Sequence, residues 1–186
     1  MENIIGKNGI SNDLRVIALC GKKESGKTPT LVLTLIKLIT LHGFEIEQCL
    51  YNQFCINDLM AAVAKYVFSD YSCVLKKQVG DSVKRIGFTT MGDSERCLTD
   101  VFKMFGKCDL YVCAMHKRPG TERFIDEVTK NGKAYKYGRF SFSTNVDLKQ
   151  EEFSEQRILN DLQSNYLAVS IMNKIKIRFY NNRACQ

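Results

Sequence analysis

Histidine is scarce in this 186-residue sequence, and cysteine, although frequent, is not clustered. The two histidines, His42 and His116, stand far apart, and the eight cysteines form no Cys-x-x-Cys pair. A zinc site needs several such ligands at close spacing. We therefore expect no zinc site, and we interpret the cysteines within apolar runs as small hydrophobic core residues.

A long apolar run is also absent. The apolar stretch at residues 31–41 is interrupted by Thr34, Lys37 and Thr40, and it is too short to span a bilayer. The first nine residues lack the charged-then-apolar layout of a signal peptide. These absences predict a cytoplasmic protein that does not enter a membrane and whose thiols are reduced.

The composition, with 45% hydrophobic and 25% charged residues, is ordinary for a globular protein. The length predicts one domain over residues 1–186. A formal charge of +7 favours an anionic partner, either a nucleotide or a nucleic acid. Because the basic residues are spread along the chain rather than massed, a solvated basic surface is favoured over a nucleic-acid face.

One segment, residues 15–28, has the pattern of a phosphate-binding loop. The apolar run Val16–Cys20 predicts a buried strand that stops at Gly21, and Gly26-Lys27-Thr28 then opens a long apolar helix. The spacing is Gly-x-x-x-x-Gly-Lys-Thr, the Walker A motif. Such a loop turns backbone N–H groups and the positive end of a helix dipole toward one point, where a phosphate can bind.

The motif also predicts a role for its side chains. Gly21 and Gly26 lack the Cβ atoms that would block positive φ angles or close approach of phosphate oxygens. Lys27 is expected to reach the β- and γ-phosphates, and the Thr28 hydroxyl to ligate Mg²⁺. Pro29 falls in the first helical turn, where a missing N–H is tolerated. The predicted nucleotide-binding residues are Gly21, Lys22, Lys23, Glu24, Ser25, Gly26, Lys27, Thr28 and Pro29.

With this motif the chain resembles the P-loop NTPase superfamily over about residues 15–42. The wider pattern is similar to small, mostly uncharacterised prokaryotic ATP-binding proteins, through Gly-Asp-Ser at 92–94 and Arg-x-Gly-Thr at 118–121. The resemblance implies a three-layer α/β fold with helices on both faces of a mainly parallel sheet that includes an antiparallel hairpin strand.

Hydrophobic periodicity and turn residues predict the remaining elements. The long C-terminal helix is expected to carry Leu159, Leu162, Tyr166 and Val169 on one stripe. The predicted strands cover about residues 15–20, 72–79, 83–90, 109–115 and 134–144, and the predicted helices about 27–41, 56–67, 95–106, 122–130 and 147–177.

A carboxylate at a strand end is needed to hold Mg²⁺ or to order water. Asp93 is the predicted residue, although an N-cap of the helix that follows is an equally ordinary use of an aspartate there. Glu95 and Glu24 are the alternatives. The loop after the next strand offers Arg118, which is predicted to stabilise phosphoryl charge if it is not simply a solvated arginine.

In that same loop His116 could act as a base, although a structural role is the more frequent use of a lone histidine. Thr121 is expected to be the N-cap of the following helix. The predicted catalytic residues are therefore Lys27, Asp93 and Arg118, with Thr28 and Asp93 as metal ligands.

Three functions remain open. The favoured one is an Mg²⁺-dependent ATPase or ATP-driven switch, and the second is a small-molecule or nucleotide kinase. The third is a nucleic-acid or partner-binding module ordered by ATP, and a protein partner or homo-oligomer is compatible with all three. ATP is favoured over GTP because neither an Asn-Lys-x-Asp nor an Asp-x-x-Gly motif follows the relevant strands.

Overall fold

A computed structural model describes residues 9–139 and 151–175 of the chain. This part of the chain forms six strands and five helices. In sequence order they are β1 (Arg15–Gly21), α1 (Lys27–Thr40), β2 (Glu45–Cys49), α2 (Ile56–Lys65), β3 (Ser72–Val79), β4 (Ser82–Thr89), α3 (Glu95–Phe105), β5 (Leu110–His116), α4 (Pro119–Val128), β6 (Lys133–Gly138) and α5 (Glu151–Lys174).

All six strands belong to one mixed sheet in the order β2-β3-β4-β5-β1-β6. Strand β1 pairs in parallel with both β5 and β6, and β4 pairs in parallel with β5. The other two pairings, β2 with β3 and β3 with β4, are antiparallel. The four neighbouring strands from β4 to β6 therefore run in the same direction, and their carboxyl ends lie along one edge of the sheet.

The alternation of side chains along β1 shows how the helices cover the sheet. Ile17 and Leu19 belong to a core cluster with buried residues of α1, α2 and α5. Val16, Ala18 and Cys20 belong to a second cluster with buried residues of α3 and α4. The prediction of an α/β fold with helices on both faces of the sheet is confirmed. No helix among residues 9–139 and 151–175 is both long and apolar enough to cross a membrane.

One strand was not anticipated, and one local expectation was wrong. Strand β2 (Glu45–Cys49) was not anticipated, because an edge strand with half-exposed residues carries little hydrophobic pattern. Helix α4 begins at Pro119 rather than at about residue 122, so its N-cap is Arg118 and Thr121 lies inside the helix. A proline at the first helical position is favourable because its missing N–H has no intrahelical partner.

The apolar stripe of helix α5 is not its buried face. Leu159 is buried, but Leu162, Tyr166 and Val169 are each about half exposed, and the buried face carries many polar side chains. The buried residues of this helix are Leu159, Asn160, Gln163, Ser164, Leu167, Ala168, Ser170, Ile171 and Met172.

The ends of two predicted elements lie outside the described residues. These are the last part of the strand predicted at 134–144 and both ends of the helix predicted at 147–177. The described part of α5 packs on α1 and so on the same sheet as the rest. The assignment of all 186 residues to one domain stays a prediction.

The burial of α5 can be tested with a matched pair of substitutions. Leu167 is 0% exposed and Leu162 is 51% exposed on the same helix. Leu167→Ala is expected to lower the free energy of unfolding by about 2–5 kcal/mol, because it leaves a cavity against α1. Leu162→Ala is expected to change it by less than about 0.5 kcal/mol. Urea unfolding monitored by circular dichroism measures both, and a larger loss for Leu162→Ala would contradict the observed orientation of α5.

Candidate functional site

A cavity of about 370 Å³ lies at the carboxyl edge of the sheet, where β1, β4 and β5 end. It is lined on one side by the loop that joins β1 to α1, and on the other by the ends of β4 and β5 and the segment after α2. Its lining residues are Lys23, Glu24, Ser25, Gly26, Lys27, Thr28, Pro29, Phe68, Ser69, Asp70, Thr90, Asp93, Ala114 and His116.

The loop between β1 and α1 has a backbone that only particular residues can adopt. Gly26, the N-cap of α1, has a φ of 79°, and a Cβ atom there would lie 2.9 Å from Asn160 Oδ1. Gly21 has no room for a Cβ atom either, because Ser25 Oγ occupies that space. No side chain caps the N-terminus of α1. The helix therefore presents the N–H groups of Lys27 and Thr28 and the positive end of its dipole to the cavity. Pro29 has no N–H, and the Thr30 N–H donates to the Gly26 carbonyl oxygen.

Lys27 is held inside this loop. Only 6% of the residue is exposed, and its Nζ donates hydrogen bonds to the carbonyl oxygens of Lys22, at 2.6 Å, and Gly21, at 3.3 Å. Burial lowers the pKa of the Lys27 ammonium, while the Asp93 carboxylate opposes this shift. A partly desolvated cation interacts with an anion more strongly than a cation in water does. Lys27 is therefore placed to attract an anion that enters the cavity.

Ser25 carries an unsatisfied group at the same place. Its Oγ is the one buried side-chain oxygen or nitrogen, within the described part of the chain, that has no hydrogen-bond partner. A buried hydroxyl without a partner is costly. Ser25 lines the cavity, but its Oγ is packed against Gly21 and is not open to the cavity.

Asp93 and His116 meet across the opposite wall. Asp93 Oδ1 lies 2.9 Å from His116 Nε2, and the Asp93 side chain is 80% exposed while that of His116 is almost fully buried. The preceding residue, Gly92, makes this contact possible because a Cβ atom there would collide with the Ala114 carbonyl of β5. Ser94, not Asp93, caps α3 by accepting a hydrogen bond from Cys97 N. Asp93 is thus available to the cavity rather than used as a cap.

The surroundings of His116 favour its neutral form. Burial lowers the pKa of the imidazole, the Lys27 ammonium lowers it further, and the Asp93 carboxylate acts in the opposite direction. A neutral imidazole with its proton on Nε2 donates a hydrogen bond to Asp93. Sequence reasoning treated His116 mainly as structural, whereas the structure places it beside the predicted metal-binding carboxylate.

The other acidic residues considered from the sequence lie outside this arrangement or at its rim. Glu95 accepts a hydrogen bond from Arg123 at 2.8 Å and does not line the cavity. Glu24 lines the cavity, but its side chain is 86% exposed and lies 3.8 Å from Lys23. Arg118 is exposed at the start of α4 and is not a lining residue. The structure therefore brings Lys27, Thr28 and Asp93 together but leaves Arg118 apart.

Arg139, at the end of β6, contacts the loop instead. Its Nε donates to the Ser25 carbonyl oxygen at 2.8 Å, and its other nitrogens donate to Thr30 Oγ1, Asn160 Oδ1 and Gln163 Oε1. Burial lowers the pKa of its guanidinium to about 10. The sequence prediction missed Arg139 because it placed this residue inside a strand at 134–144, whereas β6 ends at Gly138.

A second carboxylate, Asp70, was also missed. It lines the cavity from the segment after α2, and its Oδ1 accepts a hydrogen bond from Thr90 Oγ1 at 3.0 Å. Asp70 and Ser69 also line a neighbouring groove of about 250 Å³ that extends toward Tyr51 and Tyr71. No sequence motif marks Asp70, because it lies in the stretch with the least regular pattern.

The residues present fit a Mg²⁺ ion held together with a phosphate, and not a metal site made of protein alone. The described residues contain no group of three or more His, Cys, Asp or Glu side chains that could hold a metal ion. Thr28 and Asp93 do line the same cavity. Mg²⁺ commonly takes one or two protein oxygens and completes its shell with phosphate oxygens and water.

Comparison with known proteins gives no relative for this chain. No protein-family model matches it, and neither the curated proteins nor the solved structures searched give a significant match. Any function assigned to the cavity must therefore be argued from its own residues.

The contact between Asp93 and His116 predicts a measurable titration. Because burial and Lys27 disfavour the imidazolium, His116 is expected to titrate below the ordinary histidine pKa of about 6.5. Asp93→Asn removes the carboxylate that favours the imidazolium, so the His116 pKa should fall further. Histidine side-chain NMR measures both values. His42, whose pKa is lowered by burial and Lys77, is the internal control and should not respond to Asp93→Asn. An unchanged or raised His116 pKa in that variant would contradict the contact.

Proposed function

We propose that this chain is a P-loop nucleotide-binding protein, and that it acts as an Mg²⁺-dependent ATPase or ATP-driven switch with a three-layer P-loop NTPase fold. The observation that carries the proposal is the position of Lys27. Its ammonium is buried inside the loop between Gly21 and Gly26, at the uncapped N-terminus of α1. This loop lines a cavity at the carboxyl edge of parallel strands. Each of these features favours a phosphate.

The loop offers several donors to a phosphate chain. In the proposed complex Lys27 exchanges its hydrogen bonds to the Gly21 and Lys22 carbonyl oxygens for phosphate oxygens. The N–H groups of Lys27 and Thr28 at the N-terminus of α1 supply further donors. These contacts hold the polyphosphate and reduce the repulsion between its charges.

The opposite wall supplies the remaining roles. Thr28 and Asp93 would hold Mg²⁺, which neutralises phosphate charge when bound. His116, kept neutral by burial and by Lys27, donates to Asp93 and orients its carboxylate. On this wall, Asp93 and Asp70 are the two carboxylates that can accept a hydrogen bond from a water at the phosphate. Arg139 stabilises the loop by donating a hydrogen bond to the Ser25 carbonyl oxygen.

The role of Lys27 can be tested by isothermal titration with ATP and GTP in the presence and absence of Mg²⁺. Lys27→Met removes the ammonium but keeps the length of the side chain, and we expect affinity for Mg-ATP to fall about tenfold to a hundredfold. Lys23→Met is the control, because Lys23 is exposed on the same loop. We expect this substitution to change the affinity for Mg-ATP less than about fivefold. Unchanged affinity in a folded Lys27→Met protein would refute the phosphate site.

Hydrolysis is tested by release of inorganic phosphate from Mg-ATP. Asp93→Asn is expected to lower the rate about a hundredfold with a smaller effect on ATP affinity, because the lost carboxylate acts on the metal and the water. Glu24→Gln is the control, since the exposed Glu24 was the alternative residue for ordering water. A large loss for Glu24→Gln with none for Asp93→Asn would assign the role to the loop instead.

A small-molecule kinase is the second candidate, and one observation favours it. The groove beside the cavity shares Ser69 and Asp70 with it and is lined by Tyr51, Asn52 and Tyr71 among others. Such a groove can hold a hydroxyl-bearing acceptor next to a transferred phosphate. Tight Mg-ATP binding without phosphate release by the native protein would contradict the ATPase and favour the kinase.

A further inference from the structure

Two cysteines face each other at the edge of the sheet that is farthest from β1. Cys49, the last residue of β2, is the direct partner of Cys73 on the antiparallel strand β3. The Leu50 N–H donates to the Ser72 carbonyl oxygen at 2.9 Å, one residue beyond this pair. That hydrogen bond identifies Cys49 and Cys73 as a non-hydrogen-bonded pair, the kind in which opposite side chains approach most closely. Their Cα separation of about 4.5 Å in such a pair lies within the range that disulfides span.

A β-bulge creates this pairing. Ile46 pairs with Leu75, but after the register shift Gln48 pairs with Val74 and Cys49 with Cys73. In an uninterrupted ladder Gln48 would lie opposite Cys73 and Cys49 would lie opposite Ser72. The extra residue is Glu47.

The bulged residue is fixed from a third strand. Both carboxylate oxygens of Glu47 accept hydrogen bonds from Arg85 of β4, at 2.8 Å from Nε and 3.1 Å from a terminal nitrogen. A two-point contact of this kind restrains position as well as distance. The register that places Cys49 opposite Cys73 is therefore supported by side chains and not by the ladder alone.

The two thiols differ in accessibility. Cys73 is fully buried, whereas Cys49 is half-buried and its Sγ contacts the Phe54 carbonyl oxygen at 3.7 Å. All seven cysteines of the described ranges are free. A solute can therefore reach the Cys49 thiol, whereas the neighbouring Cys73 thiol is not accessible to solvent.

We propose that Cys49 and Cys73 form a redox-modification site that a low-molecular-weight disulfide converts into an intramolecular disulfide. The thiolate of Cys49 attacks the reagent disulfide, forms a mixed disulfide and releases one reagent thiol. Cys73 then loses its proton and attacks Cys49 Sγ, which releases the second reagent thiol. The protein loses two electrons and two protons, and the reagent disulfide is reduced to two thiols.

The bond would close a ring of chain that includes one wall of the cavity. Between Cys49 and Cys73 lie helix α2 and the segment Phe68–Asp70, which lines the cavity at the carboxyl edge. Closing a ring restricts the motions of the residues inside it. This inference does not depend on what the cavity binds.

The test is peptide mapping of the full chain after treatment with oxidised glutathione and alkylation of the remaining thiols. Trypsin places Cys49 and Cys55 in residues 38–65 and Cys73 in residues 66–76. The Cys55→Ser variant leaves Cys49 as the one thiol of the first peptide. Serine is also a favourable N-cap, the position that Cys55 holds in α2. Digestion without reduction should then give a single linked pair of these two peptides.

Three results decide the proposal. The linked pair in both native protein and Cys55→Ser, and its loss in Cys49→Ser, would support it. The proposal would be overturned if the protein keeps its native circular dichroism spectrum while Cys49 carries only glutathione or the alkylating group. A link that uses Cys55 or joins two chains would also overturn it. Amide hydrogen exchange over residues 50–72 should slow several-fold in the linked form, and unchanged exchange there would overturn the effect on the cavity wall.

Discussion

The parallel pairing of β1 with β5 is the constraint on which the rest of the site depends. Its register runs from Val16 opposite Tyr111 to Gly21 opposite His116. The loop that holds Lys27 and the strand end that holds His116 therefore leave the sheet at the same level. Since β4 pairs in parallel with the other side of β5, Asp93 reaches the same edge. The Lys27 ammonium, the His116 imidazole and the Asp93 carboxylate come from three distant parts of the chain, and they meet there because the strands align.

The loop between β1 and α1 also depends on contacts with α5. The first turns of α1 and the buried face of α5 meet through polar groups, and Thr30 Oγ1 contacts both the Gly26 carbonyl oxygen and Asn160 Oδ1. A guanidinium from the end of β6 completes this interface, with a hydrogen bond into the loop at Ser25. Burying these groups is favourable only when they are all paired, which makes the interface specific in geometry. The shape of the loop thus depends on residues more than a hundred positions downstream.

Local patterns were sufficient for the elements that carry their own signal. The strand–loop–helix unit at 15–40, the hairpin β3–β4, helix α3 and strand β5 appear close to their expected places. Each has a clear hydrophobic period or a turn that few residues can form. Edge strand β2 lacked such a pattern, and its half-exposed residues left nothing to detect.

Hydrophobic periodicity did not indicate which face of α5 is buried. Its exposed residues include Leu162 and Val169, while Asn160 and Gln163 are fully buried. A periodicity argument assumes that apolar side chains are the ones that pack inward. That assumption fails where a buried arginine must be satisfied, because the helix then turns its amide side chains toward the charge.

The sequence by itself determined the α/β class and the loop at residues 21–28, because strand, turn and helix preferences there are local. It also predicts which side chains of that loop would meet a phosphate in the proposed complex. Only the tertiary structure decided that Arg139 supports the loop while Arg118 stays outside the cavity, and that Asp93, His116 and Asp70 share its walls. Those placements follow from strand order, register and the packing of α5, which arise from contacts between residues far apart in the chain and leave no local pattern to read.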